Sequence, residues 1–343
     1  MNYECLYQIN VPLGLSAYIE LKFMPITNTA AKKSVVQVID FNQRVENIYH
    51  TDLDKFYFIA PGGRFKISTK DTSAQFQFSV QWFSEINSDY YEYENATQLD
   101  TQPYITENMF RGIQVTAETT VSIITIPPSK SKNLECYLKG LRSVLIFDGP
   151  DANSTCLGTA LQLFNNNRQY VTSGRVVTVI PLQPISYWSD SQLMFQDFVH
   201  TKAITEYRGV SCQGYCDPMV MDGSKSPSAF STFSSYGSAK VCLMSVSGTD
   251  VDLSQSNSLQ LSVIKNNSIV YNIVYNATNL PSLNQPMSAV GDQLFIEFLA
   301  GGDIKKGDYY INYDVVKVNS APSYLSNFVA AVVSVWMLLA VIF

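Results

Sequence analysis

The sequence predicts an all-β chain built from tandem β-sandwiches. Aromatic residues reach 13% while charged residues fall to 15% of 343 positions, and the abundant Tyr, Phe, Val, Ile, Ser and Thr suit pleated, half-buried strands. Gly and Asn turns punctuate short runs of alternating polar and apolar residues, the pattern of sandwiches and barrels rather than of helical folds. One order of segments also recurs three times: an alternating strand ending in a polar turn, a Gly-marked turn with a second alternating strand, and an aromatic-rich final strand.

The first copy runs through Val35 to Asp40, Gly62 to Ile67 and Phe76 to Trp82. The second runs through Ser143 to Gly149, Ser173 to Val179 and Leu193 to Phe198. The third runs through Ser258 to Val263, Gly291 to Ile296 and Tyr309 to Val315. A spacing of about 110 residues is the size of one compact domain, so three sandwiches are expected. Ser84 to Gln102 is polar and rich in Tyr and reads as a solvated linker. Its Tyr90, Tyr91 and Tyr93 form either a contact surface or packing against a neighbouring domain.

The net charge is −6 with a pI near 5.0, so no basic stripe exists to neutralise phosphates, and nucleic acid is excluded as an expected partner. The last sixteen residues, Phe328 to Phe343, are uncharged and apolar, shorter than the roughly 20 residues a spanning helix needs. Upstream lie the small residues Asn319, Ser320 and Ala321 and a polar spacer, Pro322 to Asn327. Small site, spacer and apolar tail form a glycosylphosphatidylinositol (GPI) attachment signal over residues 319–343, with lipid attachment at Asn319. The competing reading is a retained tail anchor facing the cytosol. Asn95, Asn153, Asn266 and Asn276 head glycosylation sequons. Six cysteines in a chain carrying a lipid signal argue for disulfides formed in the secretory pathway.

Within this pattern, certain residues resemble the CUB domain, a jelly-roll sandwich of extracellular proteins. In the third unit, Cys216, Asp222-Gly223, Ser226-Pro227, an aromatic loop to Tyr236 and then Cys242-Leu243-Met244-Ser245-Val246 are similar to a CUB opening. In the second unit, Cys136, Val144 to Phe147, Asp148-Gly149-Pro150-Asp151, Cys156 and Thr172-Ser173-Gly174 resemble a CUB middle. Cys5 to Gly14 resembles a CUB that begins at its second cysteine, and the whole layout is similar to the CUB-like proteins expanded in nematodes. The resemblance implies CUB-like sandwiches over residues 1–90, 105–210 and 211–318, with 91–104 as linker. It also implies disulfides Cys136 with Cys156 and Cys216 with Cys242. Cys5 and Cys212 are then left either to each other or to partners upstream. With Cys5 in the second-cysteine position, the reading frame is expected to extend upstream of Met1 and to supply a signal peptide, a leading strand and a cysteine.

Many CUB domains bind calcium through an acidic residue opening the strand before the Asp-Gly turn. The matching positions here are Ser34, Arg142 and about Asn257, so the resemblance carries no calcium site over. Asp40, Asp148 and Asp151 then read as turn formers. Cys212 and Cys216 have the spacing of half a zinc site, but His50 and His200 have no cysteine pair nearby, and the disulfide reading is preferred. For catalysis, two histidines leave few general bases, and no nucleophile elbow or phosphate loop occurs. Glu85, Asp89, Glu92 and Glu94 offer carboxylates for an acid pair but sit in the expected linker.

The expected function is therefore a non-enzymatic, GPI-anchored cell-surface recognition or adhesion protein, with a role in infection implied by the resemblance. It needs no cofactor and binds an extracellular protein or glycan through turn-rich loops such as Asp148 to Thr155 and Asn165 to Arg168. The alternative is an extracellular enzyme whose site is assembled between domains. A cleft lined by converging acids or histidines would favour it.

Overall fold

The computed structural model describes residues 3–25, 34–70, 74–84, 91–96, 104–106, 111–127, 138, 140–166, 168–182, 192–212, 214–222, 228–234, 239–249, 258–265, 268–275, 287–299 and 308–317. These residues are almost entirely strand. Asn319, Asn266, Asn276, Asn257 and the apolar tail lie outside them, as do Glu85, Asp89, Tyr90 and Cys136.

The first sandwich comprises β1 (Tyr3–Asn10), β2 (Leu15–Met24), β3 (Val35–Asp40), β4 (Val45–Ile48), β5 (Thr51–Ile59), β6 (Gly62–Thr69) and β7 (Gln75–Ser84). Its sheets have the orders β1-β6-β3-β4 and β5-β2-β7, closed on a core that includes Ile19, Phe23, Phe58 and Phe65. Strand β7 shows why sequence patterning works here: Phe76, Phe78 and Val80 pack against that core while Gln75, Gln77 and Ser79 are exposed.

The second sandwich comprises β8 (Glu92–Ala96), β9 (Tyr104–Ile105), β10 (Ile113–Ala117), β11 (Val121–Ile126), β12 (Val144–Asp148), β13 (Thr155–Thr159), β14 (Tyr170–Val171), β15 (Val176–Pro181) and β16 (Gln192–Asp197). The orders are β13-β12-β15-β10-β8 and β14-β11-β16-β9. A short helix, Ala160–Asn166, is capped reciprocally at its start: the Thr159 hydroxyl accepts from the Gln162 amide N–H at 3.2 Å, and the Gln162 side chain accepts from the Thr159 N–H at 3.0 Å. The expected loop at Asn165 thus begins inside this helix.

The third sandwich comprises β17 (Glu206–Cys212), β18 (Gly214–Tyr215), β19 (Met219–Asp222), β20 (Ser228–Ser234), β21 (Ala239–Thr249), β22 (Ser258–Lys265), β23 (Ser268–Tyr275), β24 (Met287–Gly291), β25 (Gln293–Leu299) and β26 (Asp308–Lys317). The orders are β17-β20-β25-β22-β23 and β18-β26-β21-β24, with β19 also on β26.

The threefold repeat read from the sequence has one topological meaning. In each unit its first two segments are antiparallel neighbours in one sheet: β3 with β6, β12 with β15, β22 with β25. Its third segment, in β7, β16 or β26, lies in the opposite sheet. The second and third units add a leading strand paired in parallel, β8 on β10 and β17 on β20.

Two expectations are corrected. Glu92–Ala96, read as solvated linker, forms β8 at the edge of the second sandwich, its backbone groups taken up by β10. The third unit begins at β17, ahead of residue 211, because Glu206–Cys212 pairs along its whole length with β20.

Candidate functional sites at the two domain junctions

The second sandwich is covered on two sides, and the alternation of its strands shows how. Along β12, Val144 and Ile146 enter the second sandwich's own core, while Leu145 and Phe147 point outward to meet Phe41 and Ile59 of the first. Along β11, Val121 and Ile123 face the core, while Ile124 and Ile126 meet Tyr207, Ala229 and Phe295 of the third. Both strands are buried on both faces, which is why they read as apolar runs. Each junction carries a polar site.

At the first junction Arg142 reaches into the first sandwich. Its Nε donates to both Glu46 carboxylate oxygens at 3.1 Å, Nη2 bonds the same carboxylate, and Nη1 lies 3.4 Å from Asp54 Oδ1. The Asp54 contact is an ion pair without hydrogen-bond geometry, since Arg142 Nη1 makes no hydrogen bond among the described residues. The guanidinium carbon sits 4.6 Å from the Phe56 ring centroid. Glu46 stands on β4 of one sheet and Asp54 and Phe56 on β5 of the other, so Arg142 spans both sheets of the first sandwich. Beside it Arg44 and Asn42 donate to the Cys156 carbonyl, each at 3.2 Å. Asp40 accepts from the Arg44 N–H at 2.9 Å and from the Gln162 amide at 3.3 Å. The adjoining cleft measures only about 50 Å³.

The calcium-matching positions thus have other employment: Arg142 is the junction's bridge, and the fully buried Ser34 hydroxyl bonds Thr69 at 2.6 Å. Asp148 and Asp151 form turn structure. Asp148 accepts from the Ser173 N–H at 3.0 and 2.9 Å, and Asp151 accepts from the Asn153 N–H at 2.9 Å and the Ser154 hydroxyl at 3.2 Å. Asn153 is exposed at the tip of this turn, and Asn95 is exposed on β8. Glu92 and Tyr93 are also exposed on β8; Tyr91 packs beside Leu145 and Phe147.

At the second junction a cavity of about 190 Å³ separates the end of the second sandwich from a sheet of the third. Period-2 alternation sends Leu261, Leu294 and Ile296 into the third core and leaves Gln260, Ser262, Gln293 and Glu297 on the outer face. Register sets Gln260 opposite Glu297. Such polar residues ordinarily face water, yet Ser262 and Gln293 are only 3% and 2% exposed, because the second sandwich lies over them. The cover is made by Gln196 and by His200 and Thr201 at the end of a 3₁₀ turn, Phe198–His200.

Asp197 holds that turn in place. Its carboxylate accepts from the Val199 N–H at 3.0 Å, from the Glu118 and Thr119 N–H groups at 2.9 Å each, and from the Thr119 hydroxyl. Burial pushes the Asp197 pKa up, but these hydrogen bonds outweigh it and leave the pKa lowered. Two groups at the cavity, His200 Nε2 and Thr201 Oγ1, are buried without a hydrogen-bond partner among the described residues. A buried polar group left this way costs about 1–3 kcal/mol. Burial also raises the Glu297 pKa. Sequence reasoning noted His200 only as a histidine far from cysteine pairs and passed over Gln196, Thr201, Gln293 and Glu297, because an outer-face Gln or Glu looks like any solvated residue.

The cysteines depart from the expected pattern. Cys216 bridges Cys212, with Cα atoms 5.8 Å apart, and Cys242 is free. Strand β17 delivers Cys212 into the third core beside Cys216, so neither the expected Cys216–Cys242 bridge nor a Cys5–Cys212 bridge forms. Cys5 is free on β1. Cys156 keeps a buried thiol whose pKa is pushed up by that burial, and its expected partner Cys136 lies outside the described residues.

These features define a class: an all-β protein of three jelly-roll sandwiches packed through polar junctions. Residues 1–85 match the family model of the CUB-like domain, and the first sandwich is a CUB-like domain. Residues 95–182 and 199–286 match two families described as domains of unknown function, DUF7592 and DUF7591. No curated protein matches the chain. Among solved structures, the chain is similar to a triple jelly roll of an archaeal virus (10% identity, 92% of this chain and 84% of that one, TM-score 0.22). It is also similar to the CUB1-EGF-CUB2 domains of human MASP-1/3 (9% identity, 62% and 94%, TM-score 0.21) and of rat MASP-1 (8%, 65% and 99%, TM-score 0.20). At these scores the likenesses carry no argument, and the fold rests on the sheets themselves.

Proposed function

We propose that this chain is a non-enzymatic, extracellular recognition or adhesion protein, anchored to the plasma membrane by a GPI lipid at Asn319 and used in responses to infection. The observation that carries this reading is a CUB-like N-terminal domain heading a stack of three sandwiches braced at both junctions. A rigid scaffold of this kind presents loops, the usual seat of binding residues. The Asp148 to Thr155 turn is the best-built of them, tied by Asp148 to Ser173 and by Thr178 to the Gly149 carbonyl at 2.7 Å. Exposed Asn95 and Asn153 suit glycan attachment in a secreted chain. The partner is an extracellular protein or glycan, and an acidic chain of this charge disfavours nucleic acid.

The test is a secreted chain ending before Asn319, screened against glycans, microbial surfaces and cell-surface proteins with and without a calcium chelator. Saturable binding that survives the chelator is the expected result. Absence of binding, or substrate turnover abolished by one acidic or histidine substitution, overturns the reading. For the anchor, a phosphatidylinositol-specific phospholipase should release the full-length product from cells. Recovery of the residue 328–343 tail in the mature protein by mass spectrometry contradicts lipid attachment.

A further inference from the structure

We infer that the cavity between the second and third sandwiches is a binding site for a single neutral sugar ring. At about 190 Å³ it holds about six waters at ~30 Å³ each, the space of one pyranose rather than of a structural water. Its wall suits vicinal hydroxyls, which both donate and accept. The side-chain amides of Gln260 and Gln293 can do the same, and Gln196, whose oxygen accepts from the Tyr207 hydroxyl at 2.7 Å, turns its amide N–H₂ group to the same wall; the three come from three different strands.

Two further groups point to a missing ligand. Thr201 is 1% exposed and lines the cavity, yet its hydroxyl has no hydrogen-bond partner among the described residues; buried His200 Nε2 is in the same position. Buried polar atoms are nearly always satisfied by protein, water or ligand. Phe295, opposite Ser262 on the cavity floor and edge-on to Tyr207 at 6.2 Å, supplies an apolar patch for the C–H face of a sugar.

The charge of the lining sets the ligand's charge. Among the described residues neither Lys nor Arg lines the cavity, so a phosphate or carboxylate would find no lysine or arginine there to pair with. The ionisable lining groups among the described residues are His200 and Glu297, and Glu297, half-buried against Gln260, serves as a hydrogen-bonding partner for a hydroxyl. This site is separate from the end loops of the proposed recognition surface. The surface reading can fail while this one holds, and the reverse.

The full chain is titrated calorimetrically with methyl glycosides of glucose, galactose, mannose and N-acetylglucosamine, each to about 10 mM. One glycoside should bind with millimolar affinity and raise the thermal midpoint. Thr201→Val and Glu297→Gln should each weaken it about tenfold, the worth of one good hydrogen bond, while Thr201→Ser and the distant Ser79→Ala should not. Failure of all four glycosides to bind overturns the inference, as does binding unchanged in a folded Thr201→Val chain. Release of methanol that Glu297→Gln abolishes also overturns it, because the cavity is then catalytic. Should Thr201→Val not fold, the near-isosteric Glu297→Gln variant decides the question by the same criterion.

Discussion

Single residues at the junctions do more than their sequence context announces. Arg142 follows the helical turn at Gly140 and Leu141 and looks like a surface cation; instead it is the positive centre for Glu46 and Asp54 across the first junction. Breaking a largely buried ion pair by removing one partner leaves the others uncompensated. Arg142→Met should cost about 3 kcal/mol in urea unfolding, and the triple replacement with Glu46→Gln and Asp54→Asn should recover much of it. Near-equal stability of Arg142→Met and the natural chain would show that water already screens the pair.

Asp197 allows a prediction about acid. Folding lowers its pKa, so the native chain binds this proton more weakly than the unfolded one. Its contribution is complete above its ordinary value of 3.8 and is lost as pH falls through the lower native value. The urea midpoint of the natural chain should therefore drop more steeply below about pH 4 than that of Asp197→Asn, which has no proton to gain. Parallel acid profiles would refute the assignment.

At the scale of elements, the Gly that marks the second segment of each repeat has three different meanings. Gly62 has φ +120°, and a side chain there would collide with the Ile9 carbonyl of the paired strand β1. Gly291 has Val263 and the Ile264 carbonyl against its missing Cβ, close to the irregularity in β22. Gly174 has open space around it. Gly62→Ala and Gly291→Ala should each destabilise by about 3 kcal/mol, while Gly174→Ala should stay within about 0.5 kcal/mol, all read from thermal or urea unfolding. A uniform effect across the three would mean that the glycines serve the turn alone and not close approach of strands.

Element type was legible where the pattern was strong. Each of the nine repeat segments contains a strand, because alternation at period 2 is a local property of the chain. The helix Ala160–Asn166 was missed although Thr159 and Gln162 spell a capping box, since seven residues are too few for a helical period to show. Strand β8 was missed for another reason. A polar, Tyr-rich segment becomes a strand only because β10 offers it an edge, and that edge is assembled from distant sequence.

At the scale of the molecule, the middle sandwich depends on its neighbours. Leu145 and Phe147 are covered by the first unit, and Ile124 and Ile126 by the third. Residues 91–205 expressed alone should expose these side chains, bind a hydrophobic dye and self-associate, whereas the three-sandwich chain should do neither. A monomeric, dye-free middle fragment would show that the junctions are incidental to stability.

What the sequence determined by itself was the all-β class, the threefold repeat and the CUB-like character of the first unit, all of which depend on residues near one another in the chain. The tertiary structure alone decided the Cys212–Cys216 bridge, the ion-pair role of Arg142 and the burial of Gln293 and Glu297 under the second sandwich. Alternation tells which face of a strand points outward, but what covers that face depends on how whole sandwiches pack, and packing brings together residues a hundred positions apart.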